Sequence, residues 1–167
     1  MEKFYPVYNR NKRKLYNYVL QMVGSREISE DILQNVFMKL YENIGSIDKI
    51  NNIDAWLFIA ARNEIYTMYR KRSVRREHNK ETDMTEVEYD GKVDLLNELE
   101  LKDFKEHLTK QLGNISEEHR EIFLLKEYGG FSYKEISEML NIDVALVKSR
   151  LYKVRQKLIK QLRKIVN

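Results

Sequence analysis

The sequence predicts an all-α protein built as two small helical domains, residues 1–76 and 97–167, joined by a flexible acidic linker at 77–96. Turn-forming residues are scarce, with 6 Gly and 1 Pro against abundant Leu, Lys, Glu, Ile and Arg. That balance favours helices and leaves little chemistry for hairpins. Apolar residues recur every three or four positions through two separate stretches, the period of an amphipathic helix. Charge also reverses between the stretches. Arg62 to Arg76 holds six Lys/Arg and one acid, 77–106 holds eleven acids and four bases, and Val144 to Asn167 holds eight Lys/Arg and no acid. An acid-free basic run of that length is not an ordinary solvated face.

With 43% hydrophobic and 34% charged residues in a 167-residue chain, there is apolar material for a core. The absence of cysteine excludes disulfides, thiolate metal sites and cysteine nucleophiles, and suits a reducing cytosol. The start of the chain mixes acids, bases and Asn where a signal peptide needs an apolar segment, and no run approaches the roughly 18 apolar residues of a membrane span. The expectation is a cytoplasmic protein with no membrane insertion. His78, His107 and His119 are not at metal-ligand spacing, and neither a phosphate-cradling Gly loop nor a nucleophile elbow is present. No catalytic residue, metal or cofactor is expected.

In the first domain, Leu15, Val19 and Met22 share a face of a helix that Gly24 ends, and Ser25 caps the next. There Ile28, Ile32, Val36, Leu40 and Ile44 repeat every four residues, and Leu33, Phe37 and Tyr41 widen the stripe. Glu30, Asp31, Gln34, Asn35, Met38 and Lys39 occupy the other side, which by itself reads as a solvated face. After the turn-like segment 45–54, with Asp54 as N-cap, a third helix places Leu57, Ala60, Ala61, Ile65 and Met68 inward and Arg62, Asn63, Tyr66, Arg70 and Arg72 outward. Trp56, the single tryptophan, reads first as a core anchor.

In the second domain, Leu101, Phe104, Leu108 and Leu112 suggest a packed helix. Ser116 then caps a helix with Ile122, Phe123 and Leu125 as core, stopped by Gly129-Gly130. Ser132 followed three residues later by Glu135 is a capping box, with Ile136, Met139 and Leu140 facing inward. Asn141 tolerates a left-handed turn and Asp143 caps the last helix, in which Val147, Leu151, Val154, Leu158 and Leu162 form one stripe. A short helix, a three-residue turn and a longer helix make a helix-turn-helix, whose second helix enters the DNA major groove by its N-terminal part. The candidate DNA contacts are Ser132, Tyr133 and Lys134 on the first helix and Lys148, Ser149, Arg150, Lys153 and Arg155 on the second. A basic amphipathic helix alone also fits a membrane surface or a calmodulin-type partner. The capped helix and turn immediately upstream decide against both.

At two places the letters become more specific. SEDILQNVFMKLYENI resembles the polymerase-binding helix of extracytoplasmic-function (ECF) sigma factors, in which an Asp and a Gln help dock on a coiled coil of the large polymerase subunit. Asp31 and Gln34 match them, and Asn35, Phe37 and Met38 complete the candidate surface, with Asn35 where an acid is usual. AWLFIAARN resembles the segment of that family that lies along the minus-ten promoter element. By this resemblance Arg62, Arg70, Lys71 and Arg72 would track phosphates and Asn51, Asn52, Asn63 and Tyr66 would receive unstacked bases, with Trp56 a further minus-ten candidate and the loop 45–52 holding a flipped base. REIFLLKEYGGFSYKEISEMLNIDVALVKSRLYKVRQKLIKQL resembles the family's C-terminal domain, which binds the minus-thirty-five element. Val147-Lys148-Ser149-Arg150-Leu151 matches its core, whereas Val144-Ala145-Leu146 and Ile115-Ser116 depart from the usual Gly-Thr and Leu-Pro.

The resemblance covers nearly the whole chain except the linker. It implies a sigma region 2 helical bundle at 1–76 and a sigma region 4 helix-turn-helix at 97–167. The implied partners are core RNA polymerase and promoter DNA, with an anti-sigma protein as a further candidate, since family members are often held inactive by one. The linker is either a plain spacer or an acidic competitor of RNA phosphates in the polymerase channel. Two rival readings remain open on the sequence alone: a conventional helix-turn-helix regulator acting without polymerase docking, and a polymerase-bound adaptor without promoter activity.

Overall fold

The structure is a computed structural model that describes residues 2–79 and 98–166, with side chains described for 2–75 and 102–164. The described residues are helical, with no strand among them. The chain divides into two compact units, Met1–Glu86 and Val87–Asn167. From residue 80 onward the acidic linker expected at 77–96 lies outside the described residues. Its first three residues extend the helix before it.

The first unit packs α1 (Phe4–Val23), α2 (Arg26–Glu42) and α3 (Ile53–Asn79) against one another, with a 3₁₀ helix at Ile44–Lys49. Pro6 is tolerated in the first turn of α1, where no intrahelical N–H is required. Gly24, at φ 72°, takes the left-handed conformation that ends α1 and donates its N–H to Leu20 O at 2.8 Å. Ser25 follows at once as the cap of α2, its Oγ accepting from the Ile28 N–H at 3.3 Å. The core is Leu15, Tyr18, Val19, Val36, Leu40, Leu57, Phe58, Ala61 and Ile65, all nearly inaccessible to water. Full burial of the Leu, Ile, Val and Phe side chains among them contributes about 1.5–3 kcal/mol each.

Three expectations for this unit need correction. The apolar repeat of α2 does not continue to Ile44, because Asn43 caps the helix at Lys39 O and the chain turns into the 3₁₀ segment, where Ile47 is the buried residue. Tyr41, assigned to the stripe, is 54% exposed. Asp54 does not cap α3. That role falls to Asn52, whose Oδ1 accepts from the Ala55 N–H at 3.1 Å. Asp54 instead accepts from Arg10 (2.7 Å) and from the Asn11 amide (2.7 Å), pinning the start of α3 to α1.

In the second unit α4 (Glu98–Gly113), α5 (Glu117–Glu127) and α6 (Tyr133–Leu140) surround α7 (Val144–Val166). Leu112, Ile122, Leu124, Leu125, Ile136, Val147, Leu151 and Val154 form the core. Phe104, expected inside, is 47% exposed, and the Ser116 side chain makes no capping bond although it holds the N-cap position. The capping box is complete: Glu135 N–H donates to Ser132 Oγ (3.1 Å), and Ser132 N–H donates to Glu135 Oε1 (2.9 Å). Asn141 sits at φ 54°, ψ 49°, so the turn between α6 and α7 is the left-handed corner that the sequence suggests.

Candidate nucleic-acid interfaces and docking face

On α2, burial of Ile32, Val36 and Leu40 against α1 and α3 turns the opposite side to water. Asp31, Gln34 and Asn35 are exposed there, and Met38 is 54% exposed. Phe37 differs from the other candidates on this helix. It is 8% exposed and packs edge-on against Tyr8 with ring centroids 4.7 Å apart, so it supports the face from beneath. Gln34, Phe37 and Met38 line an apolar groove of about 470 Å³ together with Phe4, Tyr8 and Tyr41. The surface combines a carboxylate, amides and a flexible thioether beside an apolar hollow. Such a mix suits a protein helix better than a nucleic acid.

On α3, burial of Leu57, Phe58, Ala61 and Ile65 fixes which residues point outward. Arg62, Asn63, Tyr66 and Arg70, all singled out in the sequence, line one shallow groove of about 530 Å³ with Thr67, Tyr69 and Ser73. The Arg62 guanidinium lies 4.6 Å from the Tyr66 ring centroid, and Tyr66 meets Tyr69 edge-on at 5.7 Å. Tyr69, overlooked in the sequence, donates its hydroxyl to Met22 O and so ties this surface to the end of α1. Cations stacked on aromatic rings beside amide and hydroxyl groups are what an unstacked single strand needs. Trp56 is half-buried on the same helix. Asn51 is exposed, whereas Asn52 is committed to capping. The segment 45–52, expected as a loop, is largely the 3₁₀ helix.

The helix-turn-helix of the second unit presents Lys148, Ser149 and Lys153 exposed on α7, opposite the buried stripe, and Lys134 exposed on α6. Ser132 is engaged in the capping box, and Tyr133 is half-buried against α7 cations. Arg150 and Arg155 are less available than their sequence positions suggest. Arg150 is 23% exposed and 3.7 Å from Glu118, and Arg155 bonds Glu127 at 2.7 Å. Both acids belong to α5, a partnership that helical spacing within α7 does not reveal. Tyr152, which the sequence shows only as lying off the stripe, is 65% exposed between Lys148 and Lys153 in the chain. An exposed aromatic within a basic face is a surface for base edges or methyl groups. Among the described residues no group of His, Cys, Asp and Glu is arranged to hold a metal, and no helix is long and apolar enough to cross a membrane.

Known proteins resemble the chain along nearly its whole length. Residues 7–75 match the family model of Sigma-70 region 2, and residues 105–158 match that of Sigma-70, region 4. The ECF RNA polymerase sigma factor SigM of Bacillus subtilis is 30% identical over 161 residues, covering 91% of this chain and 90% of the relative. SigW of the same organism is 31% identical, covering 91% and 84%. Among solved structures, the sigma factor RpoE in complex with the anti-sigma factor NepR from Bartonella quintana superimposes with a TM-score of 0.81 at 24% identity, over 98% of each chain. CnrH in complex with the cytosolic domain of CnrY does so with a TM-score of 0.67 at 20% identity, over 96% of this chain and 88% of that one. With two family models matched in order and relatives aligned along nearly their full length, the chain belongs to the ECF sigma factors and is an alternative sigma factor of transcription initiation.

Proposed function

We propose that the chain divides its work among three surfaces. The α2 face of Asp31, Gln34, Asn35 and Met38, supported by Phe37, docks on core RNA polymerase. The α3 groove of Arg62, Asn63, Tyr66 and Arg70, with Asn51 and Trp56 nearby, holds the opened minus-ten strand. The helix-turn-helix binds the minus-thirty-five element through Lys148, Ser149 and Lys153, with Tyr152 added and Lys134 on the backbone. Arg150 and Arg155 join only after exchanging Glu118 and Glu127 for phosphate. The observation that carries this reading is the gathering of four sequence-chosen residues, Arg62, Asn63, Tyr66 and Arg70, into one cation-and-aromatic groove.

The domains are proposed as 1–76 and 97–167, and the linker between them tethers two DNA contacts so that each raises the effective concentration of the other. Bond making belongs to the polymerase; the chain supplies recognition in the cytoplasm. RpoE is seen in complex with NepR, and CnrH with the cytosolic domain of CnrY. We infer that the α2 face and α3 groove are where a comparable inhibitor would compete. The test is reconstitution with core RNA polymerase followed by transcription from a library of random promoters. Transcripts that depend on the chain and share two spaced upstream elements are expected. Specific duplex binding by the chain alone, without polymerase association, would overturn the docking role.

A further inference from the structure

Tyr133, the first residue of α6, sits where three cations from two other helices meet. Lys126 Nζ of α5 lies 4.6 Å from its ring centroid, and Lys148 Nζ of α7 lies 5.5 Å from it. Arg155 of α7, which holds Glu127 of α5 at 2.7 Å, is the third cation to act electrostatically on the Tyr133 side chain. Tyr133 itself is half-buried, so its ring cannot swing freely into water, while Lys148 is exposed. Lysine has a long side chain with many rotamers, and DNA binding normally costs much of that freedom. A fixed ring beneath the ammonium removes part of that cost in advance, and its negative face attracts the cation without neutralising it. A carboxylate in the same place would quench the charge, as Glu127 does for Arg155.

We propose that Tyr133 is a positioning residue for promoter binding: its ring holds the Lys148 ammonium at the DNA-entering end of α7 and brings Lys126 of α5 into the same cationic surface. The inference rests on the assignment of α7 as the DNA-reading helix. It adds to that assignment a cation, Lys126, that lies outside the helix-turn-helix, and a reason for an aromatic residue at the start of α6.

The test uses the full chain reconstituted with core RNA polymerase, binding a promoter duplex obtained from the random-promoter library across a range of salt. Tyr133→Leu is expected to weaken binding about 2- to 5-fold for each lysine released. It should lower the salt slope by about 0.9 for each phosphate no longer neutralised. In a Lys126→Ala/Lys148→Ala background the same change is expected to cost nothing more, because the cations it positions are gone. Tyr133→Phe, which keeps the ring, is expected to retain the wild-type slope. A Tyr133→Leu effect that adds in full to the double lysine variant overturns the positioning role, as does a Tyr133→Phe variant as weak as Tyr133→Leu. A double lysine variant that binds as wild type instead removes the reading of this face of α7, and the proposal with it. Reading the cycle in salt slope separates positioning from a mere loss of fold stability.

Discussion

The ammonium of Lys39 on α2 lies 2.8 Å from the carboxylate of Glu64 on α3. Glu64 is the one acid between Arg62 and Arg76, and it stands next to Asn63 of the α3 groove. The neighbouring helix therefore neutralises the one acid beside the groove proposed to track phosphate. With Lys39 47% and Glu64 25% exposed, the pair contributes little to folding, about 0.2–1 kcal/mol. Its main effect is on the sign of the local field.

That asymmetry is testable. Lys39→Gln leaves Glu64 uncompensated and is expected to weaken promoter binding by the holoenzyme about 2- to 5-fold at low salt, with the defect fading as salt is raised. Glu64→Gln removes the acid and is expected to leave promoter binding unchanged or tighter. Equal losses from both variants would mean that the pair acts through helix packing instead.

Separation of roles is the second prediction. Asp31→Ala combined with Gln34→Ala is expected to impair association with core polymerase while leaving the fold intact, since both side chains are exposed. Lys148→Ala combined with Lys153→Ala is expected to leave that association intact and to reduce the salt slope of promoter binding by about 2. Polymerase co-purification and salt-dependent promoter binding measure the two separately. Loss of the same activity in both variants would contradict the division.

Much of this architecture is legible in the sequence because it is locally determined. Gly24, Ser25, the Ser132–Glu135 box and Asn141 each act within four residues of themselves, and each behaves as its residue type suggests. The misreadings arise where a distant partner competes. Asp54 and Asn52 are both good N-caps two positions apart, and the choice is made by Arg10 and Asn11, more than forty residues away, which claim the carboxylate. Arg150 and Arg155 carry the right charge for DNA, and nothing local in the sequence shows that Glu118 and Glu127 on α5 stand beside them. A helical wheel shows which side of α7 is polar, but not which cations on that side are already engaged.

Gly129 tests the packing at the start of the helix-turn-helix. A Cβ there would lie 2.6 Å from Leu125 O and 2.7 Å from the Phe131 ring, and Phe131 is itself buried. Neither the α5 carbonyl nor a packed ring gives way easily, so Gly129→Ala is expected to destabilise the second unit by about 1–3 kcal/mol. Gly130 has open space around the corresponding position but adopts φ 72°. Gly130→Ala is expected to cost about 1–2 kcal/mol through backbone strain alone. Thermal unfolding checks both; an unchanged midpoint for Gly129→Ala would refute the close approach.

Asp54 gives a pH dependence of stability. Burial raises its pKa, but the hydrogen bonds from Arg10 and Asn11 and the charges of Arg10 and Lys14 outweigh it and hold the carboxyl below the usual Asp value. A carboxyl with a depressed folded-state pKa binds its proton more readily when unfolded. Its stabilisation is therefore full above the ordinary Asp pKa and is lost as pH falls through the lower folded value. Asp54→Asn is expected to cost about 1 kcal/mol near neutrality and to flatten the acid limb of the stability curve. A parallel, merely shifted acid limb would show that other carboxylates set it.

His119 is expected to link protonation to DNA binding. Burial lowers its pKa first, and the charges of Arg150, Lys153 and Lys157 lower it further, against an opposing contribution from Glu118. With the folded value depressed, the unfolded chain takes up the proton first. Stability falls as pH drops below about 6.5 and stops falling once the folded value is passed. DNA phosphates placed against Arg150, Lys153 and Lys157 would offset those positive charges and raise the His119 pKa. Promoter binding should then take up protons between the free and the bound values and tighten as pH falls through that window. A His119→Gln variant should lose that uptake while keeping its affinity under mildly alkaline conditions. Imidazole titration by NMR, with and without duplex, measures the change directly. A His119 pKa that does not move on binding would place the phosphates away from this side of α7.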